Sequence, residues 1–260
     1  MTMIRGVDLA VTDTGSGPAF FWGHGFASCT ANEADMMLGW DRLAARYRVV
    51  RWDARGHGQS TGTDVPADYG WENLGRDVIA LADELGIDEF AVGGASMGAA
   101  TALHAAVLAP DRVTGLVLAL PPTAYDTRAG QGDEYVDGAT LVEEQGVAAY
   151  VDRHKAQPVP PILEPIAEAY LEFVPAIPDR LLPAALRGAG ASDLPRPEQV
   201  RAIEAPALLL AWAGDPGHPL STAERLAELL PHAELNVAGE LMDLLGWTDL
   251  VEAFLDQHPA

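Results

Sequence analysis

The strongest chemical signal in the sequence is a serine between two glycines, the run G-A-S-M-G at residues 94–98. Residues 89–93 predict a strand, and residues 97–109 predict a helix that begins directly after Ser96. A serine on so sharp a turn has a strained backbone, which costs on the order of 1–3 kcal/mol and requires small neighbours. Such a turn lifts the hydroxyl clear of the chain at the positive end of the helix, as a nucleophile requires.

A second glycine-rich turn, in the run F-W-G-H-G-F, follows the first buried strand. Here the backbone N–H of Phe26 can point at a developing oxyanion, with the N–H of Met97 as second donor. Each such donor typically contributes about 2.7–4 kcal/mol in the transition state. Trp22, His24 and Gly25 of the same turn are predicted to contact the substrate.

A third loop, D-A-R-G-H-G-Q-S at residues 53–60, follows the next predicted strand. We interpret it as an arginine-anchored scaffold, with His57 as a hydrogen-bonded structural residue. In order and spacing, the His-Gly turn, this Asp-x-Arg-Gly-x-Gly-x-Ser loop and the Gly-x-Ser-x-Gly turn resemble the α/β-hydrolase superfamily, in particular its lidded serine esterases and C–C hydrolases.

This resemblance covers nearly the whole chain and implies an α/β fold. The expected architecture is a mostly parallel sheet of the eight-stranded type, flanked by helices, with a helical cap inserted after the sixth strand. The family pattern also implies a nucleophilic Ser96, an acid after the following strand and a histidine after the last strand. Asp215 supplies the acid, because it follows the predicted strand at residues 207–213.

The histidine that the family places after the last strand is missing. The predicted strand at residues 233–238 leads into G-E-L-M-D-L-L-G, which contains no histidine. Four histidines are poorly placed to act as base. His232 precedes the last strand and His258 lies in the C-terminal tail. His104 lies inside the helix after the serine, and His154 lies in the insertion.

His218 is the leading candidate for a relocated base. It lies three residues after Asp215, where a pocket-lining residue is common in lidded members of the family. His24 and His57 are alternatives. A further alternative is that no histidine acts as base and that a carboxylate of the vacated loop, on Glu240 or Asp243, does so, although an ordinary carboxylate pKa near ~4 suits that role poorly.

The remaining elements must bring these loops to one edge of a sheet. The strands already described are joined by predicted strands at residues 4–11, 19–22, 47–52 and 113–120, and helices are predicted at residues 34–46, 71–85, 222–230 and 247–257. Residues 121–199 hold 11 of the 19 prolines, so we expect short helices and proline-rich turns rather than long helices. We interpret this segment as a cap over a core formed by residues 1–120 and 200–260.

Composition excludes several classes of protein. The 260 residues are 48% hydrophobic and 21% charged, an ordinary globular mixture. With 16 Lys and Arg against 38 Asp and Glu, the net charge of −22 argues against nucleic acid or an anionic membrane as partner. The uncharged residues 90–110 fit a buried strand and helix better than a membrane span. We expect a cytoplasmic monomer or homodimer, since the N-terminus lacks a signal-peptide pattern.

Two functions from different classes fit these residues. The first is a serine hydrolase of a small ester, thioester, lactone or C–C bond, and the lack of an arginine- or lysine-rich pocket signal favours a neutral acyl group. The second is a non-hydrolytic member of the superfamily that binds a carbonyl ligand or acts as a lyase or isomerase. Neither requires a cofactor, and no Cys/His cluster has the spacing of a metal site.

Overall fold

The computed structural model describes residues 1–33 and 38–259, and its strands form two sheets. A small antiparallel sheet contains β1 (Thr2–Ile4) and β2 (Val7–Leu9), and a larger sheet contains β3 (Val11–Thr14), β4 (Ala19–Gly23), β5 (Arg48–Trp52), β6 (Phe90–Ala95), β7 (Val113–Ala119), β8 (Ala207–Trp212) and β9 (Ala233–Ala238). The larger sheet has the order β3-β5-β4-β6-β7-β8-β9, in which only β3 runs antiparallel to its neighbour.

The helices connect these strands and also fill the long segment between β7 and β8. They are α1 (Trp40–Ala44), α2 (Trp71–Glu84), α3 (Met97–Leu108), α4 (Arg128–Gln145), α5 (Val147–Lys155), α6 (Ala167–Leu171), α7 (Leu182–Gly190), α8 (Pro197–Arg201), α9 (Leu220–Leu229), α10 (Leu241–Leu245) and α11 (Trp247–Gln257). The helix predicted from residue 34 begins at Trp40 within the described residues, and residues 34–37 lie outside them.

The larger sheet is buried on both faces, because successive side chains of a strand point to opposite sides. In β4, Phe21 packs in a core cluster with α2, α3 and α9, whereas Phe20 and Trp22 pack in a second cluster with α1 and α11. Helices thus cover both faces of a mostly parallel sheet, and the loops at the carboxyl ends of the strands share one edge.

The first predicted strand is wrong in detail. Residues 4–11 form β2 and parts of β1 and β3 instead of one strand, because Arg5 and Gly6 both have positive φ (44° and 85°) and make a tight turn. This hairpin pairs with itself, Ile4 opposite Val7. The larger sheet therefore has seven strands within the described residues, in place of the eight-stranded type that we expected.

The insertion, which we define as residues 121–199, also differs from its prediction in one respect. It contains α4, a helix of 18 residues, although we expected the prolines to exclude long helices. The reason is where the prolines lie: none occurs between Pro122 and Pro158, so α4 and α5 form in a proline-free stretch. Later prolines lie outside helices or at helix starts, as in α8, except Pro165, which lies inside a short 3-10 helix.

The uncharged stretch at residues 90–110 forms β6 and α3 in the middle of the fold. Every residue of β6 is buried, and α3 packs its small side chains against α2 and the sheet. Among the described residues, no helix combines the length and apolar character needed to cross a bilayer.

Candidate active site

Ser96 lies on the turn between β6 and α3, in a backbone conformation that is rare for a residue with a side chain. Its φ is +52° and its ψ is −110°, which costs on the order of 1–3 kcal/mol. The two glycines of the motif are required by close backbone approach: a Cβ at Gly94 would overlap the backbone of Gly98, and one at Gly98 would overlap Gly23. Packing between β4 and α3 therefore maintains the turn.

His218 bridges Ser96 and Asp215. Its Nε2 lies 2.8 Å from Ser96 Oγ, and its Nδ1 lies 2.8 Å from Asp215 Oδ2. The His218 side chain is 26% exposed and that of Asp215 is 10% exposed, so the pair is largely buried. The carboxylate is positioned to hold the proton on Nδ1, which leaves Nε2 free to accept the serine proton.

The loop between β8 and α9 brings the acid and the histidine together although they are three residues apart. Asp215 Oδ1 accepts the N–H of Gly217 at 2.9 Å, which folds the chain back so that His218 faces the carboxylate. Trp212 Nε1 donates to Oδ2 at 3.2 Å. Burial acts to raise the pKa of Asp215, but the hydrogen bond and charge of His218, with these N–H donors, outweigh burial and lower it.

The loop after β9 contains carboxylates instead of a histidine. Asp243 Oδ2 accepts the N–H groups of Gly239 and Glu240 at 2.8 and 3.1 Å, so this carboxylate is engaged in its own turn. Both acids are exposed. The structure therefore shows no contact that would make Glu240 or Asp243 a partner of Ser96.

The other histidines lie apart from Ser96 Oγ. His104 Nε2 contacts the carbonyl of Asp193 at 2.9 Å, and His232 lies 3.7 Å from Glu204 at the surface. His154 packs on the ring of Phe173 at 4.2 Å in the insertion. Among the described residues, only His218 forms a hydrogen bond with the side-chain hydroxyl of Ser96.

The two amides expected to bind an oxyanion are both available. Met97 is the first residue of α3, where the N–H has no acceptor within the helix. The N–H of Phe26 has no acceptor among the described residues either. By contrast, the N–H of Gly25 donates to Glu33 Oε1 at 2.8 Å, so it serves the turn itself.

Trp22 and His24 lie beneath the turn instead of in the cavity wall, which corrects the expectation that they contact the substrate. Trp22 is 1% exposed and donates from Nε1 to Glu33 Oε2. His24 is 2% exposed; its Nε2 accepts the N–H of Ala54 at 2.9 Å, so Nδ1 carries the proton and donates to Gly25 O at 2.7 Å. Gly25 does line the cavity.

Glu33 is a buried residue beside the site that the sequence did not single out. Its buried carboxylate accepts hydrogen bonds from both Gly25 and Trp22 and thereby shapes the turn that presents Phe26. Burial is the main cause that raises its pKa, against the lowering effect of His24. No sequence signal distinguishes Glu33, because an acidic residue in a polar loop is ordinary and its burial arises only from the fold.

The loop at residues 53–60 is hydrogen-bonded to the segment that follows the glycine-rich turn after β4. Asp53 Oδ1 accepts the N–H and hydroxyl of Thr30 at 2.8 and 2.7 Å. Arg55 forms a buried ion pair with Asp77 at 2.7 Å. His57 contacts the Arg55 carbonyl through Nδ1 at 3.0 Å, and burial lowers its pKa to about 3, so its ring is neutral. These contacts fit the scaffold role that the sequence indicates.

The insertion is hydrogen-bonded to this same region. The N–H of Ala176 donates to Ala27 O at 2.7 Å, and the carbonyl of Ala176 accepts the N–H of Gly58 at 2.6 Å. Ala176 of the insertion thus joins the glycine-rich turn after β4 to the loop at residues 53–60.

A cavity of about 570 Å³ opens beside Ser96 between the sheet edge and the insertion. Its wall includes Phe26 and aromatic residues of the insertion, whereas the side chains of Trp22 and Met97 are buried and do not line it. The polar part of the wall, however, contains Arg153, a cation that the sequence did not lead us to expect there. The insertion contributes these lining residues: Thr123, Thr127, Gln131, Glu134, Tyr135, Tyr150, Arg153, His154, Gln157, Pro158, Pro160, Tyr170, Phe173 and Leu186.

Comparison with known proteins agrees with this architecture. A family model described as the alpha/beta hydrolase fold matches residues 18–240. The 3-oxoadipate enol-lactonase 2 of Acinetobacter baylyi is 30% identical over 202 residues, which cover 74% of this chain and 70% of that protein. Epoxide hydrolase 2 of Siraitia grosvenorii is 32% identical over 113 residues, so the match spans 44% of this chain and only 35% of that enzyme.

The solved structures extend the similarity to nearly the full chain. The enol-lactonase from Burkholderia xenovorans LB400 superposes with a TM-score of 0.83, covering 97% of this chain and 98% of that one at 22% identity. At that identity the likeness establishes the fold alone. The fold class that the three sequence motifs indicate is confirmed. These two relatives are named as hydrolases, which agrees with the expectation that this chain is a hydrolase.

Proposed function

Since the chain belongs to the α/β-hydrolase fold family, we propose that it is a serine hydrolase whose acid and base lie in one loop. Ser96 is the nucleophile, His218 the general base, Asp215 the residue that orients the base, and the N–H groups of Phe26 and Met97 the oxyanion donors. The observation that carries the proposal is the contact of His218 with both Ser96 Oγ and Asp215 Oδ2, each at 2.8 Å.

The chemistry follows from these contacts. Ser96 Oγ attacks the carbonyl carbon while its proton passes to His218 Nε2, and the new negative charge on the carbonyl oxygen is held by the two amides. The tetrahedral intermediate then expels its leaving group, which takes the proton from Nε2. Water repeats both steps on the acyl-enzyme, with His218 again as base, and releases the acid and free Ser96.

The substrate class is a small ester, thioester or lactone, and cleavage of a C–C bond next to a carbonyl uses the same groups. The cavity volume of about 570 Å³ is within the usual range for small-molecule sites. The relatives named as enol-lactonase act on a lactone, and lactone opening requires the same nucleophile, base and oxyanion donors as ester hydrolysis.

A fluorophosphonate probe tests the proposal, because it reacts covalently with activated serine hydroxyls. We expect stoichiometric labelling of the wild-type protein on the peptide that contains Ser96. The Ser96→Ala variant should not label. The His218→Ala variant should label at least about 10²-fold more slowly, since a positioned base typically contributes about 10²–10⁴ in rate.

The matched control is His232→Ala, which removes a histidine that is 59% exposed and belongs to no contact at the site. It should label at the wild-type rate. Labelling of Ser96 that survives His218→Ala would remove His218 from the mechanism, and a wild-type protein that neither labels nor hydrolyses esters would favour the non-hydrolytic alternative.

A further inference from the structure

One wall of the cavity is formed by α4 and α5 of the insertion, and it presents polar groups that have few partners among the described residues. Arg153 and Tyr150 lie one turn apart on α5, and both line the cavity. Residues three apart on a helix share one face. The two side chains therefore act together as one surface.

Arg153 has no acidic partner among the described residues. Its guanidinium forms one hydrogen bond, from Nη2 to the backbone carbonyl of Glu134 at 3.2 Å, and its Cζ lies 5.9 Å from the Tyr150 ring centroid. A guanidinium offers five N–H donors. Most of them remain available to a ligand in the cavity.

Tyr150 adds a further donor to the same wall. Its hydroxyl forms no hydrogen bond with any described residue. Burial is the main cause that raises the pKa of this phenol, so the hydroxyl keeps its proton. Tyr170 also lines the cavity without a hydrogen-bond partner for its hydroxyl in the described part of the chain. Its pKa is raised by burial and then by the charge of Asp215.

The opposing charge on this wall is Glu134. Its side chain is exposed and receives only a long contact from Gln131 Nε2, at 3.4 Å. Solvent screens an exposed carboxylate more strongly than a half-buried guanidinium. The net character of the wall toward a ligand is therefore that of a hydrogen-bond donor with positive charge, in a protein whose overall charge is −22.

We propose that Arg153, assisted by the hydroxyl of Tyr150, binds a carboxylate at the end of the substrate opposite the bond that Ser96 attacks. The substrate class is thus a half-ester or lactone that carries a free carboxylate, instead of the neutral acyl compound that the sequence favoured. This inference rests on the proposed function for the position of the reacting bond, but the carboxylate site itself is testable without turnover.

The first test uses binding. Glutarate, adipate and pimelate are titrated calorimetrically into the Ser96→Ala protein, which keeps the cavity and cannot react. We expect at least one of the three to bind, with affinity that weakens about 10- to 100-fold in the Ser96→Ala/Arg153→Gln protein, the scale of a lost hydrogen-bonded charge. High salt should weaken binding as well.

The second test uses turnover. The monomethyl esters of the same three diacids are compared with their ω-amides, which keep the shape and lose the charge, by methanol release. We expect kcat/KM to favour the carboxylate by about 10-fold or more at the best chain length. In Arg153→Gln that ratio should fall toward one, and in Glu134→Gln it should rise.

The matched control is Arg180→Gln, which removes the same charge from an exposed position outside the cavity lining. It should preserve both the affinity and the substrate ratio. Equal hydrolysis of acid and amide, or a preference that survives Arg153→Gln, overturns the inference and leaves the proposed function intact. Arg153-dependent diacid binding without any ester hydrolysis supports the inference and overturns the proposed function. Failure of all three diacids to bind Ser96→Ala overturns the inference directly.

Discussion

Two neighbouring loops at the carboxyl edge of the sheet differ sharply. The loop after β8 carries Asp215 and His218 and is tied by their contacts to Ser96. In the loop after β9, where the family pattern expects the base, the only titratable side chains are the carboxylates Glu240 and Asp243. Met242 and Leu245 of this loop are 64% and 70% exposed. The comparison teaches that a position after the last strand does not decide which histidine contacts the serine, because several loops converge on the same edge of a parallel sheet.

Replacing one aspartate in each loop with asparagine should give the largest difference in ester hydrolysis between the two loops. In Asp215→Asn the side chain no longer holds the proton on His218 Nδ1, and we expect kcat for a simple ester to fall by about 10⁴, as for other serine hydrolases with this change. Asp243→Asn should stay within about twofold of wild type, because its carboxylate is exposed and accepts bonds only within its own turn.

Steady-state kinetics on both variants, with folding checked by circular dichroism, measures this contrast. A large loss in Asp243→Asn together with a small one in Asp215→Asn would reverse the assignment of the two loops.

A glycine in each loop offers a second matched pair with a smaller expected effect. Gly214 has φ +80°, and an added Cβ would lie 2.9 Å from Pro161 Cδ in the insertion, whereas a Cβ at Gly239 would meet only Asp243 Oδ2 at 3.6 Å. We expect Gly214→Ala to lower the free energy of unfolding by about 1–3 kcal/mol and to slow ester hydrolysis. Gly239→Ala should change stability by less than about 0.5 kcal/mol.

Urea denaturation of the two variants measures the difference. Equal stability of the Gly214→Ala and Gly239→Ala proteins would mean that the loop after β8 is no more constrained than the loop after β9.

The smallest effect concerns stability at low pH. The folded protein holds the pKa of Asp215 below its ordinary value of 3.8, so the folded state binds this proton less readily than the unfolded state. The stabilisation is therefore present above that ordinary value and is lost as pH falls through the folded-state pKa. We expect the free energy of unfolding to decline less steeply below about pH 4 in Asp215→Asn than in wild type.

Denaturant titrations at pH 7, 5, 4 and 3 provide the comparison, with Asp243→Asn as the second reference protein. Parallel curves for Asp215→Asn and wild type would show that His218 and the loop N–H groups do not stabilise the charged acid.

Several elements could be predicted from local residue types and their spacing. The turn at Ser96, the strand at residues 233–238 and the helix at residues 247–257 follow from periodicity and glycine placement, which act within a few residues. The prediction of one strand at residues 4–11 was wrong, because positive φ values at Arg5 and Gly6 split a run of strand-forming residues. The prediction that the insertion lacks long helices was also wrong, because the number of prolines in 79 residues says less about helix length than the position of each proline.

The sequence by itself determined the fold class, the serine turn and the two candidates Asp215 and His218, since each depends on residue types at short range. Only the tertiary structure decided that His218 reaches Ser96 and that Trp22 and His24 lie beneath the turn. It also decided that Glu33 is buried against this turn and that Arg153 lines the cavity. Those outcomes depend on distances between chain segments up to 122 residues apart, and burial and hydrogen-bond geometry at such separations arise from packing, which local patterns do not encode.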